Sequence, residues 1–355
     1  MAQPKYIFIC GGVMSGVGKG ITTSSIGTIL QSKGFEVTLV KADPYLNVDA
    51  GTMNPTEHGE VFVLDSGLET DQDMGNYERF LGKSLGGDNY MTTGMVFKHV
   101  IEKERAFGYN GQCVEFFYHI PMEIVRRIQH ARDTANADIT IIEIGGTLGE
   151  YQNALYIEAA RRMKMETPDD VMFVMVSYLP VPGAIGEMKT KPTQNALQKL
   201  RSFGVSPDMI IARAEQSVDQ KRKEKIALFA GLHPERVISA PDVDSIYQVP
   251  INFEDDGMSD QVLRVLGLPV GEKDLVPWRA MVKKARESVT SIKIGVVGKY
   301  FGTGDFSLSD AYISVLEAIK GAGAHLGLRP EIVGIDSRMF EEGEEALSQL
   351  DAYDG

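Results

Sequence analysis

"CGGVMSGVGKGITTSS", residues 10–25, follows directly on the apolar run "KYIFI" and decides how the chain is read. A strand that runs into a glycine-rich turn and then into a helix offers backbone N–H donors and a positive helix end, and Lys19 adds an ammonium. Together they suit a phosphate. The spacing departs from the usual phosphate loop, because five residues rather than four separate Gly12 from the Gly18–Lys19 pair, and Gly20 stands where a hydroxyl residue is usual. A deviant phosphate loop is expected, with Thr22 or Thr23 a little further on as the hydroxyl near a metal. Ile21, Ile26, Ile29 and Leu30 recur at near-helical spacing behind it, and Gly34 is placed to end the helix.

Outward from this loop, apolar strand-like runs ("EVTLVKA", "DITIIEIGG", "DVMFVMVSY", "PDMIIARA") alternate with helix-period stretches. That alternation predicts an α/β fold: a doubly wound, mainly parallel, Rossmann-like sheet. Residues 266–290 turn proline-containing and charged and read as a linker from a first domain, 1–265, to a second α/β unit, 291–355. This unit opens on the strand "IKIGVVGKY" and a helix from about Ser309, too little to close a domain by itself. The 355 residues are 43% hydrophobic, enough for a large core, and a net charge of −13 argues against nonspecific nucleic-acid binding. With no leader or membrane-length apolar run, the expectation is a soluble, cytoplasmic protein away from membranes. Cys10 and Cys113 lack disulfide or metal-ligand spacing, and both are expected as core thiols.

Three further constellations carry chemistry. Lys41 and Asp43 close an apolar strand, a position that faces the crevice above a parallel sheet. Glu69, Asp71 and Asp73 alternate in "LETDQDMGNYERF", and Glu143 ends another strand before a glycine pair. Carboxylates near a phosphate loop suit Mg²⁺, which takes one or two of them beside nucleotide phosphates. In "GEMKTKPTQNALQKL", Lys189 and Lys191 flank Thr190, and Pro192 opens a helix carrying Gln194; the group suits a second polyphosphate. The cations of "KRKEK", residues 221–225, read first as a solvated helix face.

The motifs "GGVxSxxGKGI", "DPYLNVDxGTMxPxxHGEVFV", "ETDxDxGxYERF", "EIGGTxG", "GEMKTKPTQ", "KIALF" and "DVDSIYQVP" occur in this order, and through them the chain resembles the CTP synthases from about Lys5 to the linker. The resemblance implies an amidoligase domain followed by the start of a class I glutaminase-like domain. It implies a reaction: ATP phosphorylates O4 of UTP, and ammonia displaces that phosphate to give CTP. By the same resemblance Ser15, Gly16, Val17, Gly18, Lys19, Gly20 and Ile21 cradle ATP, and Arg213, Asp242 and Val243 lie on its adenine side. Lys19 and Lys41 face the transferred phosphoryl, Asp73 and Glu143 hold Mg²⁺, and His58 stands near where ammonia enters. Ser15, Glu150, Gln152, Lys189, Thr190, Lys191, Gln194 and Lys225 fall at positions for UTP or inhibitory CTP. The resemblance further implies a homotetramer built as a dimer of dimers, and filaments. The catalytic residues of the glutaminase would follow Gly355, so glutamine serves as a nitrogen source only where a complete glutaminase domain is supplied.

Two departures bear on the pyrimidine. The family's "GGTVGDIES" reads "GGTLGEYQN" here, so its acidic pair becomes Glu150 and Gln152, and an acceptor-only group gives way to one that also donates. The family's "VQVIPHIT" is "VEFFYHIP", with Glu115, Tyr118 and Pro121 changed. A related amidoligase acting on another base, a nucleotide-binding assembly subunit and a nucleotide-switch ATPase stand as the alternatives.

Overall fold

A computed structural model of the chain describes residues 3–12, 14–183, 186–270, 275–303, 306–307, 310–340 and 344–355. In chain order the elements are β1 (Lys5–Gly11), α1 (Lys19–Ser32), β2 (Val37–Asp43), α2 (Pro55–His58), β3 (Val61–Val63), β4 (Glu69–Asp71), α3 (Asp73–Leu81), β5 (Tyr90–Thr92), α4 (Thr93–Arg105), α5 (Phe116–Ala135) and β6 (Ile139–Ile144). They continue with α6 (Ala154–Glu166), β7 (Val171–Tyr178), α7 (Lys191–Ser202), β8 (Met209–Ala214), α8 (Gln220–Ala230), β9 (Val237–Pro241), α9 (Val249–Asp255) and α10 (Met258–Val265). The last are α11 (Val276–Glu287), β10 (Thr290–Gly298), β11 (Gly302–Thr303), β12 (Phe306–Ser307), α12 (Ile313–Leu326) and β13 (Leu328–Asp336). The chain divides into two compact units, Met1–Asp49 with Asn76–Asp274, and Ala50–Gly75 with Leu275–Gly355.

The first unit is built on a seven-stranded sheet in the order β5-β2-β6-β1-β7-β8-β9, every pair parallel. Its central strands are buried along nearly their whole length, as expected when helices cover both faces of a parallel sheet. The fold is therefore the doubly wound α/β one that the alternation predicts. Strand order reverses about β1, and such a reversal opens a crevice at the carboxyl ends of the strands.

Helix α1 is buried on its polar side as well as its apolar one, because α9 and α10 pack over it. Two of its hydroxyls reach carbonyls, Ser24 Oγ donating to Gly20 O at 2.8 Å and Thr28 Oγ1 to Phe80 O at 3.0 Å, whereas the buried Thr23 Oγ1 and Ser25 Oγ meet no partner among the described residues. Just past its end, Lys33 and Glu254 form an ion pair of 2.9 Å with both side chains about 1% exposed.

Cys10 lies in β1 as expected, and burial pushes its thiol up to about 12. Cys113 does not lie in the core. It is exposed, because "GQCVE" belongs to a turn segment between α4 and α5 in which Phe107 and Asn110 take positive φ, and its apolar neighbours Phe116 and Phe117 begin a helix instead of a strand.

On α5, the buried Glu123 accepts from Arg126 Nε and Nη2 at 2.7 Å each and from Arg127 Nε at 2.9 Å, with His99 Nε2 at 3.5 Å. Burial opposes its ionisation, but the Arg126 hydrogen bonds and the charges of Arg126, His99 and Arg127 outweigh it and hold the carboxyl below the usual carboxylate range. A carboxyl depressed in this way adds stability above its unfolded value, near about 4.3, and loses it as pH falls through the folded value. Glu123→Gln is expected to cost about 2 kcal/mol at neutral pH, with a deficit that closes toward about pH 3. Urea titrations at the two pH values measure it, and an unchanged deficit at low pH would contradict the ionic origin.

In the second unit β10 and β13 pair in parallel and β3 and β4 form an antiparallel hairpin. The stretch expected as a linker contains α11, while residues 271–274 lie outside the described residues, as does Ser309, near which the last helix was expected to begin. Helix α12 has no side-chain cap from its N-cap residue Tyr312, whose hydroxyl instead accepts from the backbone amides of Lys299 and Tyr300 at 2.8 and 3.1 Å. Glu60 supplies the cap: its carboxylate accepts Ser314 N at 2.6 Å, and its own amide donates to Asp310 O at 2.9 Å.

Candidate functional site

The turn after β1 places α1 at the crevice. Gly18, the N-cap, sits at φ 80°, a left-handed conformation that glycine adopts without a Cβ penalty. Lys19 opens the helix, and its ammonium folds back to donate to Gly146 O at 2.6 Å with only 9% of the residue exposed. Gly146 has φ 67°, and a Cβ there would lie 2.5 Å from Glu150 Oε2. The turn that receives Lys19 is closed by two side chains: Glu150 Oε1 accepts Thr147 N at 2.7 Å, and Asn153 Nδ2 donates to Thr147 O at 2.6 Å. Glu150 thus spends one oxygen on backbone, and Gln152 Nε2 lies 3.4 Å from the other.

Register explains the next contact. In the β2–β6 pair Lys41 is the direct neighbour of Glu143, and its ammonium meets Glu143 Oε1 at 3.2 Å and Asp43 Oδ1 at 3.5 Å. All three residues are at most 4% exposed. Each carboxylate also accepts a tyrosine hydroxyl, Glu143 Oε2 from Tyr77 and Asp43 Oδ2 from Tyr45 at 3.0 Å. The carboxylate oxygens of Asp43 and Glu143 are hard donors of the kind that fit Mg²⁺ in company with phosphates. Among the described residues no group of three or more His, Cys, Asp or Glu is arranged to hold a metal alone.

Beside the loop a cavity of about 180 Å³ is lined by Gly18, Ile21, Thr22, Arg213, Asp242 and Val243, with Asn252 and Phe253 from α9. Arg213, at the end of β8, donates to Asp242 Oδ1 at 2.8 Å, while its buried Nε meets no acceptor among the described residues. The structure therefore brings the loop, Lys19, Lys41, Glu143, Glu150, Gln152, Arg213, Asp242 and Val243 into one unit. The third constellation lies on the α7 and α8 side of it: Thr190 and Gln194 are buried and bonded to each other at 3.3 Å, Lys189 pairs with Glu187 at 2.6 Å, and Lys191 and Lys225 are exposed. His58, at the end of α2, and Asp73, at the start of α3, belong to the second unit, where Asp73 N donates to Asp71 Oδ1 at 2.8 Å. Asn252, Phe253, Tyr45 and Tyr77 were not singled out from the sequence. Tyr45 and Tyr77 do fall within the motifs "DPYLNVD" and "ETDxDxGxYERF", which could have marked them, whereas Phe253 reads as an ordinary core aromatic and no motif contains Asn252.

A doubly wound parallel sheet with a glycine loop and lysine at its switch point defines an α/β protein of the phosphate-loop kind. A family model described as CTP synthase N-terminus matches residues 5–268. The chain belongs to the CTP synthase family. It is 45% identical over 353 residues to the CTP synthase of Methanopyrus kandleri, covering 99% of this chain and 65% of that one. Against the CTP synthase of Methanothermobacter thermautotrophicus it is 46% identical over 350 residues, 98% of this chain and 64% of the relative. The CTP synthase of Symbiobacterium thermophilum matches at 44% over 341 residues, 96% and 62%. The chain thus spans a little under two thirds of the length of these curated relatives.

Proposed function

We propose that this chain carries the ligase chemistry of CTP synthesis: the γ-phosphoryl of ATP passes to O4 of UTP, ammonia adds at C4, and phosphate leaves with a proton to give CTP and ADP. The observation that carries the reading is the cavity beside the phosphate loop, which joins a base-sized space to an anion-binding helix start. The partnerless Arg213 Nε in its wall calls for an acceptor from a ligand.

Residues 15–21 hold the ATP phosphates through backbone amides, and Arg213, Asp242 and Val243 seat the adenine. Lys19 exchanges Gly146 O for a phosphate oxygen, and with Lys41 it offsets the charge that develops on the moving phosphoryl. Asp73 and Glu143 would hold Mg²⁺, which would offset negative charge on the triphosphate. Little covalent help is required, so positioning supplies most of the rate. UTP, or CTP as inhibitor, is assigned to Ser15, Glu150, Gln152, Lys189, Thr190, Lys191, Gln194 and Lys225, and His58 to the path of ammonia.

We assign residues 1–265 to the amidoligase domain, 266–290 to the linker and 291–355 to the beginning of the glutaminase-like domain. No helix among the described residues is long and apolar enough to cross a membrane; the cytoplasm is assigned as the site of action by resemblance to the family. Association into a tetramer of paired dimers, or filaments, is supported by exposed apolar groups on α4 and α5, among them Ile101, Phe116, Phe117 and Tyr118.

The test is chromatographic. The protein is incubated with ATP, Mg²⁺ and an ammonium salt, with and without UTP. CTP and ADP in equal amounts, both dependent on UTP, are expected. ADP formed without UTP would favour the switch ATPase, and nucleotide-dependent assembly without product would favour the assembly subunit.

A further inference from the structure

We propose that Tyr77 is a positioning residue for the phosphoryl-transfer site, holding the Glu143 carboxylate in the one orientation that serves a divalent cation. The inference rests on the functional reading above and deepens it. Glu143 sits at the carboxyl end of β6, 2% exposed, with one oxygen 3.2 Å from the Lys41 ammonium and the other accepting the Tyr77 hydroxyl. Tyr77 is itself fully buried on α3, four residues after Asp73, so its ring has no freedom to follow a moving carboxylate.

The chemistry of the pair explains why a phenol stands there. A carboxylate beside a buried ammonium gains most by turning both oxygens onto it. Turned so, Glu143 would quench Lys41 and direct its lone pairs away from a metal. The Tyr77 hydroxyl is a neutral donor that takes one oxygen out of that competition, yet leaves the charge on the carboxylate. The neighbouring carboxylate repeats the device, since Asp43 gives Oδ1 to Lys41 at 3.5 Å and Oδ2 to the Tyr45 hydroxyl at 3.0 Å. Partners that orient a metal-binding carboxylate in this way change metal affinity by about 10- to 100-fold when removed.

The test uses the whole chain and the variant Tyr77→Phe, which keeps the ring and deletes the hydroxyl. Binding of a fluorescent ATP analogue in EDTA reports the nucleotide site without metal, and electron paramagnetic resonance of Mn²⁺ titrated into the ATP complex reports metal affinity without turnover. The expected result is Mn²⁺ binding weakened by about 10- to 100-fold, with metal-free nucleotide binding changed less than about twofold. Unchanged Mn²⁺ affinity in a folded variant would overturn the proposal. A second measurement avoids the variant's fold altogether: with 3-fluorotyrosine at position 77 of the otherwise native chain, the fluorine resonance should move when Mg²⁺ is added to the ATP complex, and a stationary resonance would overturn the proposal equally. If the native chain binds no ATP analogue, the functional reading itself fails, and the assignment of Tyr77 falls with it.

Discussion

On the proposed ligase function, Lys19→Ala is expected to lower ATP-dependent CTP formation by about two to three orders of magnitude, the effect of removing one preorganised charge-stabilising donor from a transferred group. The ammonium of Lys19, the first residue of α1, donates to Gly146 O at 2.6 Å. Because Lys19 is itself the first residue of the helix, its ammonium and the helix start are close together. The helix dipole and the charge therefore act on the same atoms. Deleting the ammonium also strands the Gly146 carbonyl, at a cost of about 1–3 kcal/mol, so the rate must be compared at a temperature where both proteins are folded. A rate constant within about twofold of the native value would make Lys19 a structural tie between α1 and the Gly146 turn, and would remove the basis of the phosphate-loop reading.

Lys41→Met is expected to cost about 3–5 kcal/mol of stability, the usual consequence of taking one partner from a buried ionic group. Asp43 and Glu143 are 4% and 2% exposed, and both lie within 3.5 Å of the Lys41 ammonium. Without it two carboxylates face each other in a region of low dielectric. A double variant, Lys41→Met with Glu143→Gln, should regain part of the loss. Urea midpoints of the single and double variants measure both statements, and a loss below about 1 kcal/mol for the single variant would show that the two acids are compensated by other groups.

What the sequence made legible was local. Strand, glycine loop and helix are contiguous at residues 5–32, and the strand-ending positions of Lys41 and Glu143 can be recognised from the apolar runs before them. Their pairing is a different matter. Lys41 opposes Glu143 only because β6 inserts between β1 and β2, an order set by packing of segments about a hundred residues apart. The cavity shows the same limit: Ile21 and Arg213 were identified through loop and motif, whereas Asn252 and Phe253 reach it from α9, whose placement depends on a helix-to-helix contact with α1. Cys113 failed for a third reason. An apolar run beside a glycine turn reads alike as a strand end or a helix start, and the exposed turn before α5 decided between them.

The cap that Glu60 places on α12 sets an order of events during synthesis. Residues 50–75 leave the ribosome roughly 200 residues ahead of the segment they join, a delay of about 10–40 s at ordinary elongation rates. Over that interval β2 and β5, which flank the excursion, can already pair in the growing sheet, while the intervening loop waits for a helix not yet made. The second unit is thus obliged to mature after the first, and a chain released before Ser314 would leave Glu60 without the amide it caps.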